Sequence, residues 1–220
     1  MKLDIYIPEE LSDITLGQYQ KFAKINTGEN ENTSFLLHKM VEIFCNIDLK
    51  DIAKIKYTYV NNIVSEINKM FDVKTSLIPI FKMGGIDYGF IPKLDDITLG
   101  EYIDLDNTLG DWETMHKAMS VLYRPVKLQK GHRYQIEDYT GMENAERMKN
   151  MPLDVVMGSL VFFWSLRNEL LKNTLKYLSK EMTENLTTQQ QATLVENGDG
   201  INLSTDWLKE ILLDLKTLQN

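Results

Sequence analysis

One cysteine, Cys45, is the whole thiol inventory of this 220-residue chain. No disulfide framework can hold it together, so the fold must stand on its apolar core. The three histidines show no His-Glu-x-x-His or paired-cysteine spacing that would suit a metal. A Walker loop, a nucleophile elbow and a dinucleotide fingerprint are all missing, so no cofactor is expected. Basic charge is short: 24 Lys and Arg face 32 Asp and Glu, a net charge of −8. That balance argues against general nucleic-acid binding, which rests on neutralising phosphates. Long apolar runs are short too. The most apolar stretch, residues 155–166, is twelve residues bounded by Asp154 and Arg167. A membrane-spanning helix needs about 20, so a buried central helix is the expectation and no membrane the corollary. The N-terminus, with Asp4 and Glu9 and no apolar core, does not read as a signal peptide. A cytosolic protein, or part of a particle assembled in the cytosol, follows.

What the chain does carry is a repeat. Tyr6-Ile-Pro-Glu-Glu-Leu-Ser-Asp-Ile-Thr-Leu-Gly-Gln-Tyr19 returns, one residue shorter, as Phe90-Ile-Pro-Lys-Leu-Asp-Asp-Ile-Thr-Leu-Gly-Glu-Tyr102. A second match, Leu37–Phe44 with Met115–Leu122, places His38 against His116. The separation falls from 83 residues at Asp13/Asp96 to 78 at His38/His116, with the difference assigned to the polar loop Asn26–Asn32. The pattern reads as a strand–helix–helix unit used twice. Thr15-x-x-Gln18 and Thr98-x-x-Glu101 fit the capping box, and Ile14/Tyr19 and Ile97/Tyr102 fit the hydrophobic staple.

Apolar periodicity predicts a short strand at Lys2–Ile7, then helices at Leu16–Asn26, Ser34–Cys45 and Leu49–Phe71. In the last of these, Ile52, Ile55, Tyr59, Ile63, Ile67 and Met70 form the buried stripe. A hairpin follows, turning at Gly84-Gly85, with Pro79 marking its first strand as an edge. Helices at Thr98–Asn107 and Trp112–Tyr123 lead to a second hairpin at Val126–Ile136. A short helix is expected at Gly141–Lys149, and Pro152 opens a long one to about Lys180. The fold class is mainly α with two small β-hairpins (α+β). The expected segments are 1–83, the first repeat with its long helix; 84–182, the second repeat, hairpin and core helix; 183–203, a flexible linker; and 204–220, an amphipathic helix.

Two features suggest contact with other molecules. Arg124, Lys127, Lys130, His132 and Arg133 form a basic hairpin, free of acids, on an acidic protein. Such a hairpin suits an acidic patch on a partner or on the next copy of the chain, with nucleic acid as the other option and plain solvation as the default. In the terminal helix, Trp207, Leu208, Ile211, Leu212, Leu215 and Leu218 share a broad apolar face. Its linker of about 20 residues reaches roughly 25 Å, enough to fold back or to cross to a neighbour. Cys45, on an apolar helix face, reads as structural. Asp95, Asp96, Asp104, Asp106 and Asp111 read as caps and solvated surface, leaving a carboxylate pair in a cleft as the enzymatic option.

A family resemblance rests on four strings in order. They are Tyr88-Gly-Phe-Ile-Pro-Lys-Leu-Asp-Asp-Ile-Thr-Leu-Gly-Glu-Tyr-Ile-Asp-Leu105, Met115-His-Lys-Ala-Met-Ser-Val-Leu-Tyr-Arg-Pro-Val126, Tyr134-Gln-Ile-Glu-Asp-Tyr139 and Pro152-Leu-Asp-Val-Val-Met-Gly-Ser-Leu-Val-Phe-Phe-Trp164. Over about Tyr88–Leu171 the chain resembles a class of tailed-bacteriophage proteins encoded among the virion and tail-assembly genes of crAss-like and marine phages. The resemblance implies a non-enzymatic virion component of the head–tail connector or tail apparatus. Its partners would be other virion proteins and copies of itself, in a homo-oligomeric ring or a hetero-complex. It would reside in the virion, and in the host cytoplasm during assembly. A tail-assembly chaperone and a nucleic-acid-associated packaging factor are the alternatives. No catalytic residues are carried over.

Overall fold

Thr15 and Thr98 each open a helix by the chemistry their spacing implies. The Thr15 hydroxyl accepts from the Gln18 backbone N–H (3.2 Å), and the Gln18 side chain accepts from the Thr15 N–H (2.9 Å). Glu101 and Thr98 make the same reciprocal pair, at 3.3 and 2.7 Å. Two of the donors that every helix N-terminus leaves open are thereby satisfied. Each cap follows a single 3-10 turn, Leu11–Asp13 before Thr15 and Leu94–Asp96 before Thr98.

The structure is a computed structural model and describes residues 5–26 and 33–185. Seven helices are defined there: α1 (Leu16–Ala23), α2 (Ser34–Phe44), α3 (Leu49–Ile52), α4 (Tyr57–Phe71), α5 (Leu99–Thr108), α6 (Met115–Leu122) and α7 (Leu153–Asn185). Four strands accompany them: β1 (Ile80–Met83), β2 (Ile86–Phe90), β3 (Tyr123–Lys130) and β4 (Arg133–Ile136). Described residues through Phe162 belong to one compact unit, and those from Phe163 onward belong to a second. The expected segment boundary at 83/84 falls inside the β1–β2 turn, where Met83 pairs with Ile86.

Several expectations need correction. Ile5–Ile7 belong to no strand. The helix expected over Leu49–Phe71 breaks at Ala53–Lys56, where Lys54 and Ile55 donate to carbonyls three residues back and tighten the last turn of α3. Of the expected stripe, Ile52, Ile63, Ile67 and Met70 are buried and Ile55 is half-buried. Val60, Ile63, Val64, Ile67 and Met70 are buried in α4, while Tyr59, assigned to the stripe from sequence, is 56% exposed. The helix expected over Trp112–Tyr123 runs from Met115 to Leu122, with Tyr123 both its C-cap and the first residue of β3, and the segment at Gly141–Lys149 is a 3-10 helix at Ala145–Asn150. The largest difference concerns the hairpins. They form one antiparallel sheet of order β1-β2-β3-β4, joined where Tyr88, Gly89 and Phe90 pair with Pro125, Arg124 and Tyr123. The edge position expected for β1 holds.

The core has two centres. Phe22, Phe44 and Phe71 pack between α1, α2 and α4, with Phe22–Phe44 centroids at 5.1 Å. On the sheet, Tyr123 is fully buried and meets Phe81 and Phe90 edge-on at 5.3 and 5.2 Å. The start of α7 ties the N-terminal segment down: Leu16 N–H donates to Met151 O and Leu153 N–H to Ile14 O, both at 2.8 Å. Gly89 leaves the space Tyr134 fills, since a Cβ there would lie 2.6 Å from that ring. The Tyr134 hydroxyl donates to Phe90 O at 2.8 Å, locking β4 across β3 onto β2.

Candidate protein-interaction surfaces

The β3–β4 hairpin carries its charge at the tip. Lys130 pairs with Arg133 across a two-residue loop in which Gly131 adopts φ 61°, a left-handed conformation suited to glycine. Residues 127–133 are all exposed. Lys127 meets Asp138 at 2.8 Å, but both side chains are open to solvent and the pair contributes little. Leu128, 62% exposed, stands apolar among these cations.

Arg124 is not part of that tip. Its side chain is largely buried and bonds Glu101, while its guanidinium lies 5.7 Å from the Tyr139 ring centre. The Tyr139 hydroxyl donates to Asp104. Desolvation works to raise the Glu101 pKa, but the Thr98 N–H and hydroxyl together with Arg124 hold it below the usual carboxylate range. Burial and the Asp104 carboxylate raise Tyr139. This network fastens α5 to the sheet, a positional role of the kind buried ion pairs serve. Of the five basic residues read as an interaction hairpin, Lys127, Lys130, His132 and Arg133 stand at the tip and Arg124 braces its base. Trp207, Leu208, Ile211, Leu212 and Leu215, with the segments 186–203 and 204–220, lie outside the described residues.

The matched histidines differ in setting. His38 is half-buried on α2, whereas His116 is buried. His116 Nδ1 sits 3.0 Å from the Gln20 amide, which also donates to Trp112 O at 2.6 Å, and its Nε2 lies 3.3 Å from Glu146. Burial, then Lys149, lowers the His116 pKa against the pull of Glu146. Burial pushes the Cys45 thiol up to about 11, leaving it without nucleophilic character near neutrality.

These shifts set a direction with pH. The unfolded chain takes up a proton at His116 near pH 6.5 while the folded chain resists it, so stability falls as pH drops below that value. Glu101 acts similarly at lower pH: its stabilisation, full above about 4.5, is lost as pH falls through its depressed folded value. Urea unfolding midpoints are expected to decline from pH 7 to pH 5 in the wild type and less steeply in His116→Gln. Equal slopes would contradict this assignment.

A third surface was not read from sequence. On α5, Leu99 is 75% exposed, and Tyr102, Ile103 and Asp106 are exposed beside it. Their i, i+3, i+4, i+7 spacing puts them on one face, opposite buried Glu101, Leu105 and Thr108. The first copy supplies the contrast. Leu16, which matches Leu99, is fully buried, and Tyr19, which matches Tyr102, packs against Trp112 and Phe71 at 4.5 and 5.8 Å. The staple thus closes inward in α1 and faces solvent in α5. The signal was present as a helix apolar on two sides, but only the cover shows which side is spare.

A cavity of about 290 Å³ is lined by Glu9, Glu10, Ser12, Met70, Lys74 and Asp154, among others. Burial raises the Asp154 carboxyl above its ordinary value. Among the described residues no group of three or more His, Cys, Asp or Glu is placed to hold a metal ion, and no helix is long and apolar enough to cross a membrane. Comparison with protein-family models, curated proteins and solved structures found no match.

Proposed function

We propose that this chain is a non-enzymatic structural component of a tailed-phage virion, at the head–tail connector or in the tail apparatus, built to contact other virion proteins. What carries this reading is the use the fold makes of the four resembling strings. They supply most of β2 and α5, α6 and the start of β3, most of β4, and the first turns of α7. Many of their side chains are spent on caps, strand pairing and core packing, as in Thr98/Glu101, Tyr123 and Val156, while Leu99, Tyr102 and Ile103 stay exposed. The charged tip at 127–133 and the α5 face project from that scaffold. We also read residues 11–44 and 94–122 as two uses of one unit. The repeated 3-10 turn, capping box and second helix support this, with the α1 and α5 faces having diverged from covered to open.

Mass spectrometry of purified virions from a host culture is the test. Peptides of this chain at a stoichiometry comparable to known tail proteins are the expected result. Their absence from particles, with the chain abundant in the infected lysate, would replace the reading with an assembly chaperone.

A further inference from the structure

The hairpin tip and the open α5 face are complementary in both chemistry and format. The tip offers Lys127, Lys130 and Arg133 around exposed Leu128; Lys130 and Arg133 make no ion pair among the described residues. The α5 face offers Leu99, Tyr102 and Ile103 around Asp106, with Asp95 exposed in the preceding turn. A projecting cationic finger with an apolar centre thus has its counterpart in an apolar helix face that carries Asp106 and is flanked by Asp95. The two cannot meet within one chain by simple bending. Arg124 pins the base of β3 to Glu101 on α5, and six residues of strand carry Lys130 about 20 Å from that anchor.

We infer that the hairpin tip of one copy docks on the α5 face of a second copy, a head-to-tail self-contact. This deepens the function proposed above and rests on it only in that a self-assembling structural protein needs such a contact. Because the two patches differ, the contact is heterologous. It generates a closed ring if the rotation between copies closes, and an open filament otherwise. A tip of seven residues on one helix face is a small interface, so association is concentration-dependent and, being charge-steered, weakens with salt. Within a single chain the α5 face is open because its cover comes from another chain, whereas α1 finds cover in its own.

The test is sedimentation velocity on the full chain across a concentration series, at low and at moderate salt. Two charge-reversal variants accompany it: Lys127→Glu/Lys130→Glu/Arg133→Glu at the tip, and Asp95→Lys/Asp106→Lys on the face. All five sites are exposed, so far-UV circular dichroism and thermal midpoints are expected to match the wild type. The wild type is expected to gain mass with concentration, and each variant alone to stay monomeric under the same conditions. An equimolar mixture is expected to regain association, because the unaltered basic tip of the face variant meets the unaltered acidic face of the tip variant and the acidic tip meets the basic face. A wild type that stays monomeric throughout, variants that associate as it does, or a mixture that stays dissociated would each overturn the inference. Virion content is measured independently, so a chain that self-associates but is absent from particles would overturn the virion reading alone.

Discussion

Gly158→Ala is expected to destabilise the protein by roughly 3 kcal/mol, at the upper end of what overpacking a core costs. A Cβ at that position would lie 2.2 Å from the Ser76 carbonyl oxygen and 2.8 Å from its carbon. Both are backbone atoms, so no side-chain rotation relieves the clash. Nor can α7 retreat easily, since Leu153, Val155, Val156 and Ser159 around the site are buried. For a chain of this size the loss corresponds to a fall of about 6–12 °C in the thermal midpoint. Gly110→Ala is the control, because nothing lies within 4 Å of the Cβ it would introduce. Equal midpoints for the two variants would refute the close approach of α7 to residues 76–77.

The second large effect is expected at Tyr123. Its ring fills the junction of Phe81 and Phe90, and its hydroxyl lies 2.8 Å from Ile78 O and 3.0 Å from Ser159 Oγ. Burial raises its pKa to about 12, so it stays a neutral donor throughout the working range. Tyr123→Ala removes both ring and hydroxyl, with an expected cost of about 3–5 kcal/mol. Tyr123→Phe keeps the ring and leaves the part-buried Ile78 carbonyl without this donor, while Ser159 retains its bond to Val155 O, for about 1–3 kcal/mol. Urea denaturation of both variants separates the two contributions. Equal losses would mean that the hydroxyl, not the ring, dominates, contrary to this account.

Features that depend on near neighbours in the chain were legible before any coordinates. Thr15 and Thr98 cap their helices because hydroxyl, N3 side chain and backbone N–H lie within four residues of one another. Gly84-Gly85 turns β1 into β2 because both residues adopt positive φ, 58° and 83°. Lys130 to Arg133 forms a tip because the loop is short and polar. The break between α3 and α4 was not legible, as Ile55 and Tyr59 keep helical spacing while the chain between them changes direction. Arg124 was misplaced for a related reason. It is one of a run of basic residues, and only the approach of α5 shows that Glu101 takes it out of solvent.

Sequence alone determined the capped helix starts at Thr15 and Thr98, the Gly84-Gly85 turn, the basic character of the hairpin and, of the stretch 155–166 expected to be buried, Val155 and Val156 but not the exposed Val161 and Trp164. All of these follow from interactions within a few residues, or from hydrophobicity that any fold must bury. Tertiary structure decided that two hairpins share one sheet, that Gly158 must be glycine, and that matched staples end as a buried face on α1 and an open one on α5. Those outcomes depend on which segments, distant in sequence, arrive beside each residue. Two nearly identical words, Thr-Leu-Gly-Gln-Tyr and Thr-Leu-Gly-Glu-Tyr, can specify the same helix start but not what packs against it.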